Sequence, residues 1–439
     1  MGRIAIFADN SSAYISTLLM IWNSNNSAVL IDKRIPMNKV IDILKVANVD
    51  GIYTDDEKII IEIQKKCNIF YNIIKMSRPQ EEYVVPDILY EEYNIRFDKE
   101  EALVIFSSGT TGSNKGIILS HKSITENAIQ SIIHKKMTEK SRIYIYKSLA
   151  HSSSIVNECL ASLICRANMV IASTYCPIRK HFKNIEDYKI TIFGLNPQIL
   201  NLLLKQTKYN FSALELIVCS GSILLDFIQD MAIKELDIKV INAYGLTETG
   251  PMLTIQDPCE KIVLGSVGKA IDGVSIKICH NGKTLMPLMV GTIFVKTEMH
   301  MIGYLNCEKL DPDVWINTHD IGYKDLEGNL FVLGREDNMI ITGTHNVFPE
   351  TIEKLILTLE EVNECLIKGV DSSTYGQEIV CECVINGNPE IVKHKIFEIC
   401  KKNLASFEVP HRIYFVNNIK HTYSGKIKRM GNKYENNSE

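Results

Sequence analysis

The sequence of 439 residues contains no apolar run long enough to cross a bilayer, and its first ten residues lack the extended apolar core of a signal peptide. Its twelve cysteines include no C-x-x-C pair and no spacing typical of a metal site. The formal net charge is only −4, so no electrostatic argument favours a nucleic acid or an anionic membrane as partner. Many unpaired thiols are typical of a reducing compartment, and we therefore expect a cytoplasmic protein.

Apolar residues make up 46% of the chain and charged residues 23%, which is ordinary for a soluble globular protein of two or three domains. In the first 75 residues or so, short apolar runs alternate with helical patterns. The predicted strands cover residues 4–8, 28–31 and 51–53, and the predicted helices cover residues 13–22, 37–46 and 56–66. This alternation predicts an α/β fold with a mostly parallel sheet.

A loop rich in glycine and hydroxyl side chains lies between two apolar runs, at residues 102–106 and 117–119. The loop consists of Ser107, Ser108, Gly109, Thr110, Thr111, Gly112, Ser113, Asn114, Lys115 and Gly116. Glycine lets backbone N–H groups approach an anion, and the hydroxyls and the lysine add donors, so the composition suits a polyphosphate. The loop departs from the Walker A pattern, because Asn114 stands at the second glycine position and Gly116 follows the lysine. Considered alone, it is also compatible with a surface turn.

Further polar motifs follow later in the chain. They are Ser220-Gly221-Ser222, the run from Asn242 to Gly250, Thr318-His319-Asp320, Gly334-Arg335, and a basic stretch from Lys420 to Arg429. Each motif by itself has an ordinary explanation as a strand-end turn or a solvated basic tail.

In this order, the motifs together resemble those of the adenylate-forming superfamily, which includes acyl- and aryl-CoA ligases, adenylation domains of peptide synthetases, and luciferases. The resemblance extends from about Ile4 to Arg429. It implies an α/β fold in which residues 1–336 form a large domain of mostly parallel βα subdomains plus a small β-subdomain. Residues 337–439 are then expected to form a small mobile α+β domain. The family usually has several dozen more residues at its start, so we expect a first subdomain that is shortened or supplied by another chain.

The resemblance also implies a nucleotide site. The residues expected to bind ATP are Ser107, Ser108, Gly109, Thr110, Thr111, Gly112, Ser220, Gly221, Ser222, Asn242, Ala243, Tyr244, Gly245, Asp320 and Arg335. Lys115, Thr247, Glu248 and Lys426 are the expected catalytic residues. Glu248 is expected to bind Mg²⁺, which prefers hard carboxylate oxygens. Asp320 would accept hydrogen bonds from the ribose hydroxyls, since a carboxylate is an acceptor with two oxygens.

The expected acid pocket contains His151, Ser152, Gly245 and Leu246. Amino-acid-activating relatives place an aspartate near this segment, whereas none occurs between Lys147 and Ile155. A buried ammonium without a counter-charge would be costly, so an α-amino acid is disfavoured as substrate. The Ala-His pair also occurs in relatives that activate aryl acids, which leaves aryl and acyl substrates open.

The implied function is an AMP-forming ligase that joins a small carboxylic acid to the thiol of CoA, using ATP and Mg²⁺. Asp337 is expected to be the hinge between the domains. The sequence departs from the family pattern at Asn114, Thr344, Thr351 and Lys420. Two alternatives remain open: a stand-alone adenylation enzyme that loads an aryl or acyl acid onto carrier-protein phosphopantetheine, and a silent nucleotide-binding protein.

Overall fold

The computed structural model describes residues 2–66, 83–84, 98, 100–107, 115–206, 208–343, 345–372, 376–421, 427 and 429. The chain forms two compact units. The first consists of residues 1–107, 114–276 and 295–316, and the second of residues 108–113, 277–294 and 317–439. Within the described ranges, no helix is both long enough and apolar enough to cross a membrane.

Strands and helices alternate from the start of the chain. In order they are β1 (Arg3–Phe7), α1 (Ser12–Asn23), β2 (Ser27–Leu30), α2 (Met37–Val46), β3 (Gly51–Thr54), α3 (Glu57–Lys66), β4 (Tyr83–Val84), β5 (Glu101–Ser107), β6 (Lys115–Ser120), α4 (His121–Lys135), β7 (Arg142–Ile145), α5 (Ser152–Ser154, π-helical Ile155–Leu160 and Ala161–Cys165), β8 (Asn168–Ile171), α6 (Ile178–Asp187), β9 (Ile192–Leu195), α7 (Pro197–Leu204), β10 (Leu216–Cys219), α8 (Asp226–Leu236), β11 (Lys239–Tyr244), β12 (Thr254–Ile255) and β13 (Lys269–Ala270).

Strands predominate in the rest of the chain. The elements are β14 (Val274–His280), β15 (Lys283–Thr284), β16 (Gly291–Thr297), β17 (Gly303–Tyr304), β18 (Ile316–Lys324), β19 (Leu330–Arg335), β20 (Ile340–Thr342), β21 (His345–Val347), α9 (Pro349–Ile356), β22 (Val362–Ser372), β23 (Gly376–Ile385), α10 (Pro389–Asn403) and β24 (Arg412–Phe415). Short 3₁₀ turns lie at Thr247–Thr249, Glu336–Asn338 and Ser406–Glu408.

The first unit contains two sheets. One has the strand order β17-β6-β5-β2-β1-β3, and the other has the order β13-β12-β11-β10-β9-β7-β8-β4. Neighbouring strands from β7 to β11 in the second sheet run parallel, as do β1, β2, β3 and β5 in the first. The prediction of a mostly parallel α/β core is therefore confirmed. Because carboxyl ends of parallel strands share one edge, the turns after β7, β9, β10 and β11 are brought together.

Helix starts in this unit follow local capping chemistry. The Ser11 hydroxyl accepts a hydrogen bond from Tyr14 N at 3.1 Å, and the Ser120 hydroxyl accepts one from Ser123 N at 3.0 Å. Asn196 caps α7, whose first residue is Pro197, at a position where the missing N–H of proline is tolerated. Each cap satisfies a backbone N–H that has no partner inside the helix. These signals explain why the predicted helix starts lie close to the observed ones.

A buried histidine in the first unit makes its stability sensitive to acid. The Tyr144 hydroxyl accepts a hydrogen bond from Asn184 Nδ2 at 3.0 Å and lies 2.7 Å from His181 Nδ1. The hydroxyl can donate its own proton to Nδ1 only when that nitrogen carries no proton, which requires a neutral imidazole. Burial lowers the pKa of His181 to about 4. Folding therefore favours the neutral form of His181. The contribution of His181 to the free energy of unfolding is at its maximum above the unfolded pKa of about 6.5, and it is lost as the pH falls towards 4.

We expect the free energy of unfolding to fall by up to about 3 kcal/mol over this pH window from His181 alone. Urea unfolding of the wild type and of His181→Gln at about pH 7 and about pH 5 measures the contribution. The variant is expected to lose less stability on acidification than the wild type. Equal losses in the two proteins would contradict the assignment.

Two further sheets follow: the first has the order β15-β14-β16-β18-β19, and the second, which lies wholly in the second unit, has the order β21-β20-β23-β22, with β24 paired to β23. The helices α9 and α10 cover the second sheet, and Ile352, Ile356 and Ile396 are buried in its core. Both helices have a proline in the first turn, where its missing N–H is tolerated. The part of this unit after Asp337 has the α+β composition expected from the sequence. The boundary at residue 337 and the mobility of this region remain predictions.

Three cysteines pack together in this core. Cys381 and Cys383 point to the same face of β23, as their spacing predicts, and their Sγ atoms are 3.2 Å apart. The Sγ of Cys365, on the neighbouring strand, is 3.8 Å from that of Cys381. All three are buried among apolar side chains, and burial is the main cause that raises the pKa of Cys365. They therefore pack as small apolar residues.

Candidate active site

The hairpin that carries the predicted phosphate loop is formed by β5 and β6, which pair antiparallel with Ser107 opposite Lys115. Ser108, Gly109, Thr110, Thr111 and Gly112 lie outside the described residues, as does the side chain of Ser107. On the other side of β6, β17 adds a short antiparallel strand that places Tyr304 opposite Ile117. The Lys115 Nζ lies 5.2 Å from the centroid of the Tyr304 ring, within the range of a cation–π contact.

Glu248 and Thr247 lie in the 3₁₀ turn after β11. The backbone carbonyl of Glu248 accepts a hydrogen bond from Met301 N at 2.8 Å, and its Oε1 accepts one from the Tyr304 hydroxyl at 3.4 Å. The half-buried carboxylate therefore lies beside the ring that Lys115 contacts. A partly exposed carboxylate next to a predicted polyphosphate loop has the oxygen chemistry that Mg²⁺ prefers. Glu248 thus fits the predicted Mg²⁺ ligand.

The predicted acid segment reaches this turn directly. The hydroxyl oxygens of Ser152 and Thr247 are 2.8 Å apart. His151 precedes α5, and its Nε2 lies 3.5 Å from Asp32 Oδ2. Asp32 is also bound by the Arg34 guanidinium at 2.7 Å. Burial alone would raise the pKa of Asp32, but the hydrogen bonds from Arg34 and the nearby His151 outweigh it and hold the pKa below its usual value.

The predicted adenine wall consists of the turns after two adjacent parallel strands. β10 ends at Cys219, before Ser220, Gly221 and Ser222, and β11 carries Asn242, Ala243 and Tyr244. Asn242 is buried: its N–H donates to Gln256 Oε1 at 2.8 Å, and its Nδ2 donates to Ser266 O at 3.1 Å. A Cβ at Gly245 would lie 2.3 Å from the carbonyl oxygen of Pro251, so only glycine fits there. Leu246 follows and leads into the Thr247 turn.

The second unit brings the predicted ribose ligands together. Asp320 on β18 lies opposite Arg335 on β19, and Arg335 Nη1 is 3.5 Å from Asp320 Oδ1. The same guanidinium lies 3.7 Å from the exposed carboxylate of Asp337, the predicted hinge residue. The Asp320 side chain is 8% exposed and that of Arg335 37% exposed. The Asp320 carboxylate is thus held beside the Arg335 guanidinium, and its two oxygens can accept hydrogen bonds from a pair of hydroxyls.

Lys426, the predicted catalytic lysine, lies outside the described residues. Residues on either side of it are placed. His421 forms an antiparallel bridge with Ile427, and Arg429 donates to Glu353 at 2.6 Å and to the carbonyl of Ile367 at 2.9 Å. Arg429 is thereby fixed to the core of the second unit.

Two charged residues near the acid segment have no counterpart among the sequence predictions. Lys147 follows β7, and its Nζ lies 2.7 Å from Oε1 of Glu158 in the π-helical part of α5. The Glu158 side chain is only 5% exposed. A signal was available in the sequence: Lys147 directly follows the apolar run at residues 143–146, and Glu158 is the one charged residue within residues 155–160. A lone charge in such a run needs a partner when it is buried.

Comparison with known families supplies the identification. Residues 2–305 match the family described as AMP-binding enzyme, and residues 351–426 match the AMP-binding enzyme C-terminal domain. The chain belongs to the AMP-binding enzyme family. The superfamily predicted from the motifs is thus confirmed.

Individual relatives agree with this assignment. A 2-succinylbenzoate–CoA ligase of Bacillus licheniformis is 30% identical over 336 residues, which cover 75% of this chain and 69% of the relative. An oxalate–CoA ligase of Saccharomyces cerevisiae is 27% identical over 337 residues, which cover 75% of this chain and 62% of the relative. The prediction of a ligase agrees with both.

The fold has been seen in solved structures. The O-succinylbenzoate coenzyme A synthetase of Bacillus subtilis, in complex with ATP and magnesium ion, superposes with a TM-score of 0.80 at 24% identity. That alignment covers 98% of this chain and 88% of the other. The predicted α/β fold class is confirmed.

Proposed function

We propose that this protein is an AMP-forming acid–CoA ligase, which activates a carboxylic acid with ATP and transfers the acyl group to a thiol. The observation that carries the proposal is a continuous run of contacts at the predicted site. Lys115 contacts Tyr304, Tyr304 donates to Glu248, and Thr247 beside it contacts Ser152. The phosphate-loop hairpin, the Mg²⁺ motif and the acid segment are thus adjacent within the first unit.

In the first half-reaction, the substrate carboxylate attacks the α-phosphate of ATP, pyrophosphate leaves, and an acyl-adenylate forms. Negative charge accumulates on the phosphate oxygens, so catalysis depends mainly on positioning and electrostatics. Lys115 and Lys426 supply positive charge, and Thr247 supplies a hydroxyl for a phosphate oxygen. Glu248 holds Mg²⁺, which when bound neutralises part of the phosphate charge.

In the second half-reaction, a thiol attacks the acyl carbon of the mixed anhydride and AMP leaves. Asp320 and Arg335 hold the ribose in both halves, and Asp337 acts as hinge between residues 1–336 and residues 337–439. The proposed acceptor is CoA. Carrier-protein phosphopantetheine presents the same thiol, and a transfer assay with CoA and with candidate holo-carrier proteins distinguishes the two.

The function is tested by a panel of carboxylic acids with Mg²⁺ and ATP, with pyrophosphate release as the readout and CoA thioester measured in parallel. The panel contains aryl acids and straight-chain acids of short and medium length. Release that depends on one class of acid, followed by thioester formation, is the expected result. Background release with every acid would instead support a silent nucleotide-binding protein.

The hinge makes a separate prediction. Proline fixes φ near −65°, so Asp337→Pro is expected to spare adenylation and to lower thiol transfer by about tenfold or more, because the second step needs a different backbone conformation at this residue. Pyrophosphate release and thioester formation are measured separately. Asp337→Ala is the matched control and should retain both steps. A proline variant with normal thiol transfer would place the hinge elsewhere.

A further inference from the structure

The pair formed by Lys147 and Glu158 lies at the edge of the sheet where the acid is expected to bind. Lys147 follows β7, and Glu158 belongs to the same helical segment as Ser152. Ser152 contacts Thr247, the residue proposed to face the phosphate. Ser152 and Glu158 are six positions apart in this segment. The pair therefore belongs to the helical segment whose first residue contacts the turn proposed to face the phosphate.

The backbone around Lys147 is held by a buried asparagine. Asn10 Nδ2 donates to the carbonyl of Lys147 at 2.8 Å and to that of Ala172 at 3.0 Å, and its Oδ1 accepts from Leu149 N at 2.8 Å. Asn10 is 2% exposed. Three hydrogen bonds to a buried side chain fix the direction in which the lysine leaves the strand.

Glycine on the neighbouring strand leaves room for the pair. A Cβ at Gly194 would lie 2.3 Å from Glu158 Oε1 and 3.7 Å from Lys147 Nζ. A larger residue at position 194 would displace the Glu158 carboxylate. Within the described part of the chain, Glu158 Oε2 is buried and accepts no hydrogen bond. A buried carboxylate oxygen without a donor is costly, so Glu158 depends on its pairing with the Lys147 ammonium.

A second lysine gives the cluster an excess of positive charge. Lys135 is buried and donates to the carbonyl of Asn157 at 2.9 Å. Burial is the main cause that lowers its pKa to about 8; the Glu158 carboxylate partly offsets burial, and the Lys147 ammonium adds to it. Lys135 is therefore mostly protonated at neutral pH. Two ammonium groups against one carboxylate leave one positive charge in a poorly solvated region, and such a charge is costly without an anion.

We propose that Lys147, supported by Glu158, forms an anion subsite at the far end of the acid pocket, and that the substrate is a dicarboxylic acid. This inference rests on the proposed function. One carboxylate of the acid reacts at the phosphate, and the second pairs with the Lys147 ammonium. Glu158 and Asn10 are positioning residues that hold the lysine. Lys147 is the partly exposed member of the pair, with a side chain 19% exposed.

The same charges argue against other classes of acid. A cationic substrate would be repelled by the Lys147 ammonium, and Glu158 is already engaged by Lys147. A wholly apolar acyl chain would leave the excess charge uncompensated. One carboxylate must reach the phosphate while the other reaches Lys147, so activity should increase with chain length from malonate to adipate.

The test compares dicarboxylates with their half-amides, which keep size and shape but lose the second charge. Adipate, glutarate, isophthalate and terephthalate are assayed against these half-amides for pyrophosphate release, and the same pairs are titrated calorimetrically. For at least one pair, the diacid is expected to exceed the half-amide by about 10–100-fold in kcat/KM and in affinity, as for a charge-assisted hydrogen bond. Equal or better performance of the half-amide in every pair would overturn the proposal.

Lys147→Met is expected to bring that ratio close to one by acting mainly on the diacid. Lys140→Met, at an exposed position, is the matched control and should keep the ratio. If Lys147→Met leaves Glu158 unpaired and does not fold, the double variant Lys147→Met/Glu158→Leu removes both charges and should fold without diacid preference. A ratio unchanged in the variants would overturn the subsite. Diacid-selective binding without pyrophosphate release would support the subsite and reject the proposed function.

Discussion

Replacing Lys426 by alanine is expected to lower the rate of acyl-adenylate formation by about 10²–10³-fold or more. Charge accumulates on the α-phosphate as the carboxylate attacks, and loss of one preorganised donor at such a centre has effects of this size. The second half-reaction displaces AMP at an acyl carbon and does not build the same charge on phosphate. Thiol transfer from preformed acyl-adenylate should therefore remain largely intact.

The two steps are separated by measurement. Pyrophosphate release reports adenylation, and synthetic acyl-adenylate mixed with CoA reports transfer without the first step. Lys420→Ala, an exposed lysine in the same basic stretch, is the matched control and should leave both rates near those of the wild type. Equal losses in both steps for Lys426→Ala would mean that the lysine supports the fold or the acyl group, and not the phosphate.

Glu248→Gln is expected to reduce adenylation by about 10²-fold and to raise the Mg²⁺ concentration needed for half-maximal rate. The substitution keeps size and the possible hydrogen bond from Tyr304 but removes the negative charge. Because Mg²⁺ prefers charged oxygen ligands, the variant should recover part of its rate at high Mg²⁺. Initial rates of pyrophosphate release over a range of Mg²⁺ concentrations measure both effects.

The control for this prediction is Glu308→Gln, which removes one exposed carboxylate from the same unit. Its Mg²⁺ dependence should match that of the wild type. A Glu248→Gln enzyme with a normal Mg²⁺ requirement would show that the ligand is another residue, and the role assigned to the 3₁₀ turn would then be wrong.

Much of the fold could be read from local patterns. The predicted helix at residues 37–46 coincides with α2, because an amphipathic repeat is a local property. Pro197 and Pro349 marked helix starts for a similar reason. The π-helical turn in α5 had no such signal, since its apolar residues also fit an ordinary helix.

For the site, the order of motifs identified the family before any contact was known. Phosphate, Mg²⁺ and ribose chemistry each require particular side chains, so Lys115, Glu248 and Asp320 were recognisable by type and spacing. Tyr304 was not recognised as a partner of Glu248, because 56 residues separate them and no local pattern joins them. The pair of Lys147 and Glu158 was missed too: a lone charge at an apolar run indicates that each needs a partner, but only the structure shows that they pair with each other at 2.7 Å.

The sequence by itself determined the family and the α/β alternation, and it supplied the residues proposed to bear the phosphate chemistry, because these depend on side-chain type and on short-range order. Only the tertiary structure decided which of those residues are neighbours, and it alone revealed a buried excess of positive charge at the end of the acid segment. Burial and long-range pairing arise from how the sheets and helices pack. The sequence around Asn10 and Lys147 does not indicate that the two residues are hydrogen-bonded, because they are 137 positions apart.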